Sequence, residues 1–161
     1  MCGILAQLSS NILDKSRFNQ ALDLQTHRGP DDSGFYEADN HYFGHRRLSI
    51  IDLDHSAAQP MLSDDGSVVI VFNGEIYNFL ELRKRLEEDG IEFRTNGDTE
   101  VLIKLYQEKG ISFLYELNGM FAFIIYDKTK KVTYVVRDRL GIKPLYYSLK
   151  DKNYIFSSEI K

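Results

Sequence analysis

The sequence predicts an α+β fold of two mainly antiparallel sheets covered by helices. Three features carry this expectation. Apolar segments of strand length cluster towards both ends of the chain, and two helical patterns lie side by side in its middle. Strands and helices do not alternate regularly, which argues against a doubly wound parallel sheet. With 161 residues, 43% hydrophobic and 27% charged, the chain has the make-up of one globular domain with a sizeable core.

Residues 2–8 are apolar enough for a first, mostly buried strand. Residues 16–25 fit a helix with Phe18, Ala21, Leu22 and Gln25 along one side. His27-Arg28-Gly29-Pro30-Asp31-Asp32 then breaks it, because Gly and Pro do not continue a helix. Residues 42–45 and 67–72 read as strands, the second a β-branched run ending at Asn73-Gly74. Asn78 followed by Glu81 predicts an N-cap with a capping box. The helix it opens sets Phe79, Leu82 and Leu86 on one face and Arg83, Lys84, Glu87 and Glu88 on the other. A further helix starts at Asp98 or Thr99, buries Val101, Leu102, Leu105 and Tyr106, and stops near Gly110. Residues 120–126, 132–136, 145–149 and 154–156 read as four strands joined by polar turns such as Asp127-Lys128-Thr129-Lys130. No repeat or flexible linker interrupts the series. Residues 158–161 carry no stop signal, so the chain is expected to be the N-terminal part of a longer one.

Charge narrows the function classes. Lys and Arg number 20 against 24 Asp and Glu, with no basic stripe, so neither nucleic acid nor an anionic membrane surface is an expected partner. No apolar run approaches the ~20 residues that span a bilayer, and the N-terminus lacks a signal pattern, so a cytoplasmic protein is expected. A single cysteine excludes an intramolecular disulfide and a Cys-rich zinc site. His41, His45 and His55 have no metal-ligand spacing, and no metal is expected.

That one cysteine is Cys2, directly after the initiator Met1. A thiol attacks a carbonyl as thiolate, so its proton must go somewhere. An N-terminal residue carries its own base, a free α-amine with a reference pKa of about 7.7–8.0, of which on the order of a tenth is neutral at pH 7. The amine takes the thiol proton, directly or through one water, and later passes it to a leaving amine. This requires removal of Met1, since the Cys2 nitrogen is otherwise an amide without useful basicity. Position alone leaves two readings open: a nucleophile, or an inert thiol behind a retained methionine.

Downstream blocks decide between them. Cys2-Gly3-Ile4, His27-Arg28-Gly29-Pro30-Asp31, Arg47-Leu48-Ser49-Ile50, Phe72-Asn73-Gly74-Glu75-Ile76-Tyr77-Asn78, Gly97-Asp98-Thr99-Glu100, Asn118-Gly119-Met120-Phe121-Ala122-Phe123 and the run 137–147 occur in order. Together they resemble the class II glutamine amidotransferase domain of glutamine-hydrolysing asparagine synthetases, over nearly the whole chain. The ending Lys143-Pro144-Leu145-Tyr146-Tyr147 resembles that branch more than the phosphoribosyl-pyrophosphate or glucosamine-phosphate branches. The resemblance implies an N-terminal nucleophile hydrolase fold, a four-layer α/β/β/α sandwich. The activity it implies is hydrolysis of L-glutamine to L-glutamate and ammonia through a thioester on Cys2.

The same resemblance implies roles residue by residue. Arg47, rather than Arg46, binds the glutamine α-carboxylate, a task suited to a guanidinium with two parallel donors. Backbone at Ser49 and Ile51 lines the substrate slot. The Asn73 side-chain amide and the Gly74 N–H are the oxyanion donors; from local sequence alone, Asn-Gly after a strand equally reads as a hairpin turn. Glu75 and Asp98 hold the substrate amino group, although Asp98 is also well placed as a helix N-cap. His27 and Arg28 shape the site without acting as base, and the 137–144 block orders a turn facing a partner domain.

Ammonia release alone is wasteful, and the chain contains no Ser-Gly-Gly-x-Asp phosphate loop. A C-terminal synthetase domain or a separate synthetase subunit is therefore the expected recipient. ATP and Mg are expected only there, with no cofactor in this domain. The acceptor, aspartate or another carboxylate, and a homodimer are left open. Two other classes compete: a non-catalytic glutamine-binding or interaction module with Met1 retained, and an unrelated N-terminal amide hydrolase. The second gives no reason for pairing Arg47 with Asp98.

Overall fold

The computed structural model describes residues 1–9, 14–49 and 55–160. Alternation along the first strand, β1 (Gly3–Ser9), sets the architecture. Ile4 and Ala6 point to one side and Leu5 to the other, and all three are buried. One side faces a second sheet and the other a helix.

β1 lies at the centre of the first sheet. It pairs antiparallel with β3 (His41–Arg47), which pairs with β2 (Asp32–Ala38). On its other side it pairs with β9 (Asn153–Ser157), which pairs with β8 (Tyr146–Lys150). The second sheet runs β4 (Met61–Leu62), β5 (Val68–Ile76), β6 (Gly119–Asp127), β7 (Val132–Arg137), antiparallel throughout. Ile4, Ala6 and Phe43 of the first sheet meet Val69, Val71 and Ile124 of the second. Outside the first sheet, α1 (Lys15–Asp23) lays Phe18 and Leu22 on Leu5 and Tyr42. Outside the second, α2 (Phe79–Glu88), α3 (Asp98–Lys109) and a 3-10 segment (Gly110–Glu116) cover Ile70, Phe72 and Phe123. The layers are therefore α/β/β/α, as the resemblance implied. No helix among the described residues is long and apolar enough to cross a membrane.

Three local expectations need correction. Strand β2, Asp-Ser-Gly-Phe-Tyr-Glu-Ala, was not foreseen; its face alternates weakly, and pairing with β3 holds it extended. The 67–72 strand does not end at Asn73-Gly74. β5 runs through them to Ile76, in unbroken register with β6 from Val68↔Asp127 to Ile76↔Gly119, so the hairpin reading fails. Asn78 occupies the N-cap position of α2, but its side chain makes no cap bond. Its amide instead donates to the Glu116 carbonyl and its oxygen accepts from the Asn118 N–H, tying α2 to the segment before β6.

Candidate active site

The faces that meet between the sheets run on, at one end, into a pocket. Period-two alternation continues Ile4 and Ala6 back to Cys2, Phe43 on to Arg47, Val71 on to Asn73 and Glu75, and Ala122 back to Met120. Cys2, Arg47, Asn73, Glu75 and Met120 all line this pocket, together with Gly74 and Asp98. Residues far apart in sequence are thus gathered because each strand puts its last inward-facing position there.

Cys2 is held from two sides. The Leu48 N–H donates to its sulfur at 3.4 Å, and the sulfur lies 3.7 Å from the Leu48 carbonyl. The Cys2 carbonyl accepts from Arg28 Nε at 3.0 Å, while Arg28 Nη1 is 3.2 Å from Glu159 Oε1. His27 also meets Glu159, at 2.9 Å, on a half-exposed side chain outside the pocket lining. Met1, 54% exposed, is part of the lining, so its removal frees the α-amine and opens space beside the sulfur.

Backbone alternation along β5 defines a second group. Even-numbered residues turn their N–H and C=O towards the β4 edge: the Val68 carbonyl accepts from Ser63, and Met61 pairs with Ile70. β4 stops there. Beyond it, the Phe72 N–H donates to Gln59 Oε1 at 2.6 Å and the Ile76 N–H to Asp98 Oδ2 at 3.0 Å. Between them, the Gly74 N–H points to the same open edge. Its β6 neighbour Phe121 turns both backbone groups away, to Asp138, so Gly74 and Phe121 are a non-hydrogen-bonded pair. The Asn73 amide is 1% exposed, and its Nδ2 has no partner among the described residues. A buried donor left unmatched is costly unless something occupies the site. Two donors therefore open on one pocket beside a thiol. Glycine is required at 74, where a Cβ would come 2.4 Å from the Met120 carbonyl oxygen.

The pocket lining also carries charge. Arg47 is buried at the end of β3. Its neighbour Arg46 faces the opposite way and pairs with Asp23, which settles which arginine reaches the pocket. Asp98 is the first residue of α3, with Gly97 in the N-cap position, which corrects the expected cap. It is 5% exposed, and burial pushes its carboxyl up to about 6, helped by the nearby Glu75 charge and opposed by the Ile76 N–H. No cation among the described residues pairs with it.

Of the residues expected at the site, Cys2, Arg47, Asn73, Gly74, Glu75 and Asp98 come together. Ser49 stands outside the described lining, its N–H donating to Asp31 at 2.8 Å, and Ile51 lies outside the described residues. Gln59, Thr99 and Lys143 also line the pocket without having been foreseen there. Lys143 belongs to the block expected to face a partner, and Asp138 does order that turn through the Leu140, Ile142 and Lys143 N–H groups. Lys143 itself, 6% exposed, turns inward. Its block was legible, its direction was not. Gln59 carries no motif signal at all. No group of three His, Cys, Asp or Glu among the described residues could hold a metal ion.

This four-layer sandwich, with a cysteine at position 2 opening on a pocket between the sheets, is the fold of the N-terminal nucleophile hydrolases. Glutamine phosphoribosylpyrophosphate amidotransferase from Bacillus subtilis, solved with ADP and GMP, superposes with a TM-score of 0.85. The match covers 98% of this chain and 42% of that one, and at 22% identity it speaks to the fold. The chain belongs to the family described as the glutamine amidotransferase domain, whose model matches residues 1–161. It is 42% identical to glutamine-hydrolysing asparagine synthetase 1 of Bacillus subtilis, over 100% of this chain and 26% of that protein. It is 45% identical to glutamine-hydrolysing asparagine synthetase B of Escherichia coli, over 86% of this chain and 25% of that protein. The chain thus spans about a quarter of the length of these curated relatives, whose names are those of the branch that its sequence resembles.

Proposed function

We propose that the domain, once Met1 is removed, hydrolyses L-glutamine to L-glutamate and ammonia through a γ-glutamyl thioester on Cys2. The observation that carries this is the shared pocket, whose lining brings together a thiol, two inward donors, a guanidinium and two carboxylates. That set of functions suits a free amino acid with a side-chain amide.

The Arg47 guanidinium holds the α-carboxylate, and Asp98 with Glu75 holds the α-ammonium. The α-amine of Cys2 accepts the thiol proton as the sulfur attacks the amide carbon. Charge develops on the amide oxygen, where Asn73 Nδ2 and the Gly74 N–H meet it. The C–N bond then breaks, the α-ammonium returns its proton, and ammonia leaves. Water attacks the thioester by the same route in reverse roles, releasing glutamate and restoring the thiol. We further propose that a synthetase region uses the ammonia for ATP-dependent amidation of a carboxylate; that the relatives are named glutamine-hydrolysing asparagine synthetases supports a use of the ammonia in synthesis. The unprocessed chain keeps the pocket but lacks the base, and is a glutamine-binding module without turnover.

The test is glutamate release from glutamine by Met1-free protein, beside Cys2→Ala. Turnover in the first and its loss in the second, with glutamine binding kept, supports the reading. Turnover that survives in Cys2→Ala overturns it.

A further inference from the structure

We infer that His45 is a positioning residue for the oxyanion donors, acting with Gln59 as a side-chain substitute for the strand that β5 lacks beyond Ile70. The inference rests on the glutaminase reading of the pocket and adds a residue to it. β4 stops at Met61, opposite Ile70. The ladder on that edge of β5 pairs Met61 with Ile70 and Leu62 with Val69 and goes no further. Phe72 is the next residue whose backbone groups face that edge, and Asn73 and Gly74 follow at once. β6 holds one edge of β5 through to Ile76, but no strand holds the other edge here, and donors that must meet an oxyanion tolerate little misplacement.

Two side chains take over the pairing. Gln59 Oε1 accepts the Phe72 N–H at 2.6 Å, and its amide reaches Thr99 Oγ1 at 3.3 Å. His45 Nε2 lies 3.1 Å from the Phe72 carbonyl. A carbonyl only accepts, so Nε2 carries the proton and the ring is the Nε2–H tautomer. His45 projects from β3 on the face that also carries Phe43 and Arg47. The bond therefore crosses from one sheet to the other and links the strand of the carboxylate clamp to the strand of the oxyanion donors. Both backbone groups of Phe72 are fixed by side chains, one residue before Asn73.

A filler role explains His45 poorly. The ring is 0% exposed and its Nδ1 has no partner among the described residues. Burying an unmatched nitrogen costs free energy that an apolar residue would not. The bond gained in return goes to the Phe72 carbonyl. Burial also pushes the imidazole down to about 4, with the Arg47 charge acting in the same direction, so the ring is neutral through the ordinary working range. The bond is thus permanent rather than pH-switched.

The test uses Met1-free protein with His45→Phe, His45→Gln and Gln59→Met. Phenylalanine fills the space without a donor, whereas glutamine offers an amide N–H at a reach comparable with Nε2. Steady-state glutaminase kinetics and hydrogen–deuterium exchange over residues 72–76 are read together. His45→Phe is expected to lower kcat by about tenfold to a hundredfold with KM within about threefold, short of removing a donor outright. His45→Gln restores kcat to within about threefold, Gln59→Met repeats the Phe signature, and exchange over residues 72–76 quickens in the two impaired variants alone. A His45→Phe kcat within threefold of wild type overturns the inference. So does a fall in kcat matched by a rise in KM and not rescued by glutamine. Should wild type show no glutaminase activity, the functional reading fails, and the exchange data alone decide whether His45 holds this segment.

Discussion

Asp98 couples function to a stability cost that can be measured. Its carboxyl is raised from 3.8 to about 6, chiefly because it is buried. The folded state therefore holds this proton more tightly than the unfolded chain. Between pH 3.8 and 6 it binds more protons than the unfolded state, and stability falls as pH rises through that window. Two units at 1.36 kcal/mol each put the cost at about 3 kcal/mol above pH 6, as an upper value. Asp98→Asn removes the charge but keeps an oxygen for the Ile76 N–H. We expect the variant to be about 1–3 kcal/mol more stable at pH 7.5 and no more stable than wild type near pH 3.5. Urea unfolding of both proteins across that range reads the difference directly. Taking the difference cancels His45, whose lowered value makes any folded form lose stability as pH falls from 6.5 towards 4. In the same variant, the glutamine ammonium keeps Glu75 but loses its buried partner Asp98, and KM should rise by about thirtyfold or more. A variant less stable than wild type at pH 7.5, or a gain that persists unchanged at pH 3.5, rules out the buried Asp98 charge as the source of the cost.

Other perturbations separate the parts of the site. Asn73→Ala should lower kcat by about 10²–10³ with little change in glutamine affinity, measured by steady-state kinetics and calorimetry. Gly74→Ala forces a Cβ to 2.4 Å from the Met120 oxygen and 2.7 Å from the Phe121 Cα. It should cost about 1–3 kcal/mol or more in thermal or urea unfolding, besides disturbing the donor. Arg28→Leu releases the Cys2 carbonyl and leaves Glu159 without its buried partner. Stability should drop by about 1–3 kcal/mol, and alkylation of Cys2 by a glutamine analogue should slow more than alkylation by iodoacetamide.

The sequence was most legible where pattern and chemistry coincide. The apolar runs of β1, β5 and β6 are buried on both faces and stood out at once, and the amphipathic α2 behaved as its spacing predicts. β2 was missed because only its partner strand makes it a strand. Asn73-Gly74 was ambiguous because local chemistry favours a turn, while nine residues of pairing with β6 hold it extended. Asn78 met a similar fate: a good capping residue drawn into a long-range bond. At the site, Cys2, Arg47, Asn73 and Asp98 could be named from blocks. Gln59 and His45 could not, because their roles arise from where β4 happens to end, a fact of three-dimensional pairing. Lys143 shows the reverse limit, a residue in a recognisable block whose inward direction only the Asp138-ordered turn reveals.

Cys2, as the first residue of the processed chain, is the proposed nucleophile that attacks glutamine. The most direct measurement is to expose Met1-free protein to an electrophilic glutamine analogue and map the adduct by peptide mass spectrometry, with excess glutamine as competitor. One adduct is expected, on the N-terminal peptide at Cys2, suppressed by glutamine and absent from protein that retains Met1. No adduct at Cys2, or equal labelling with Met1 still attached, contradicts that role for Cys2.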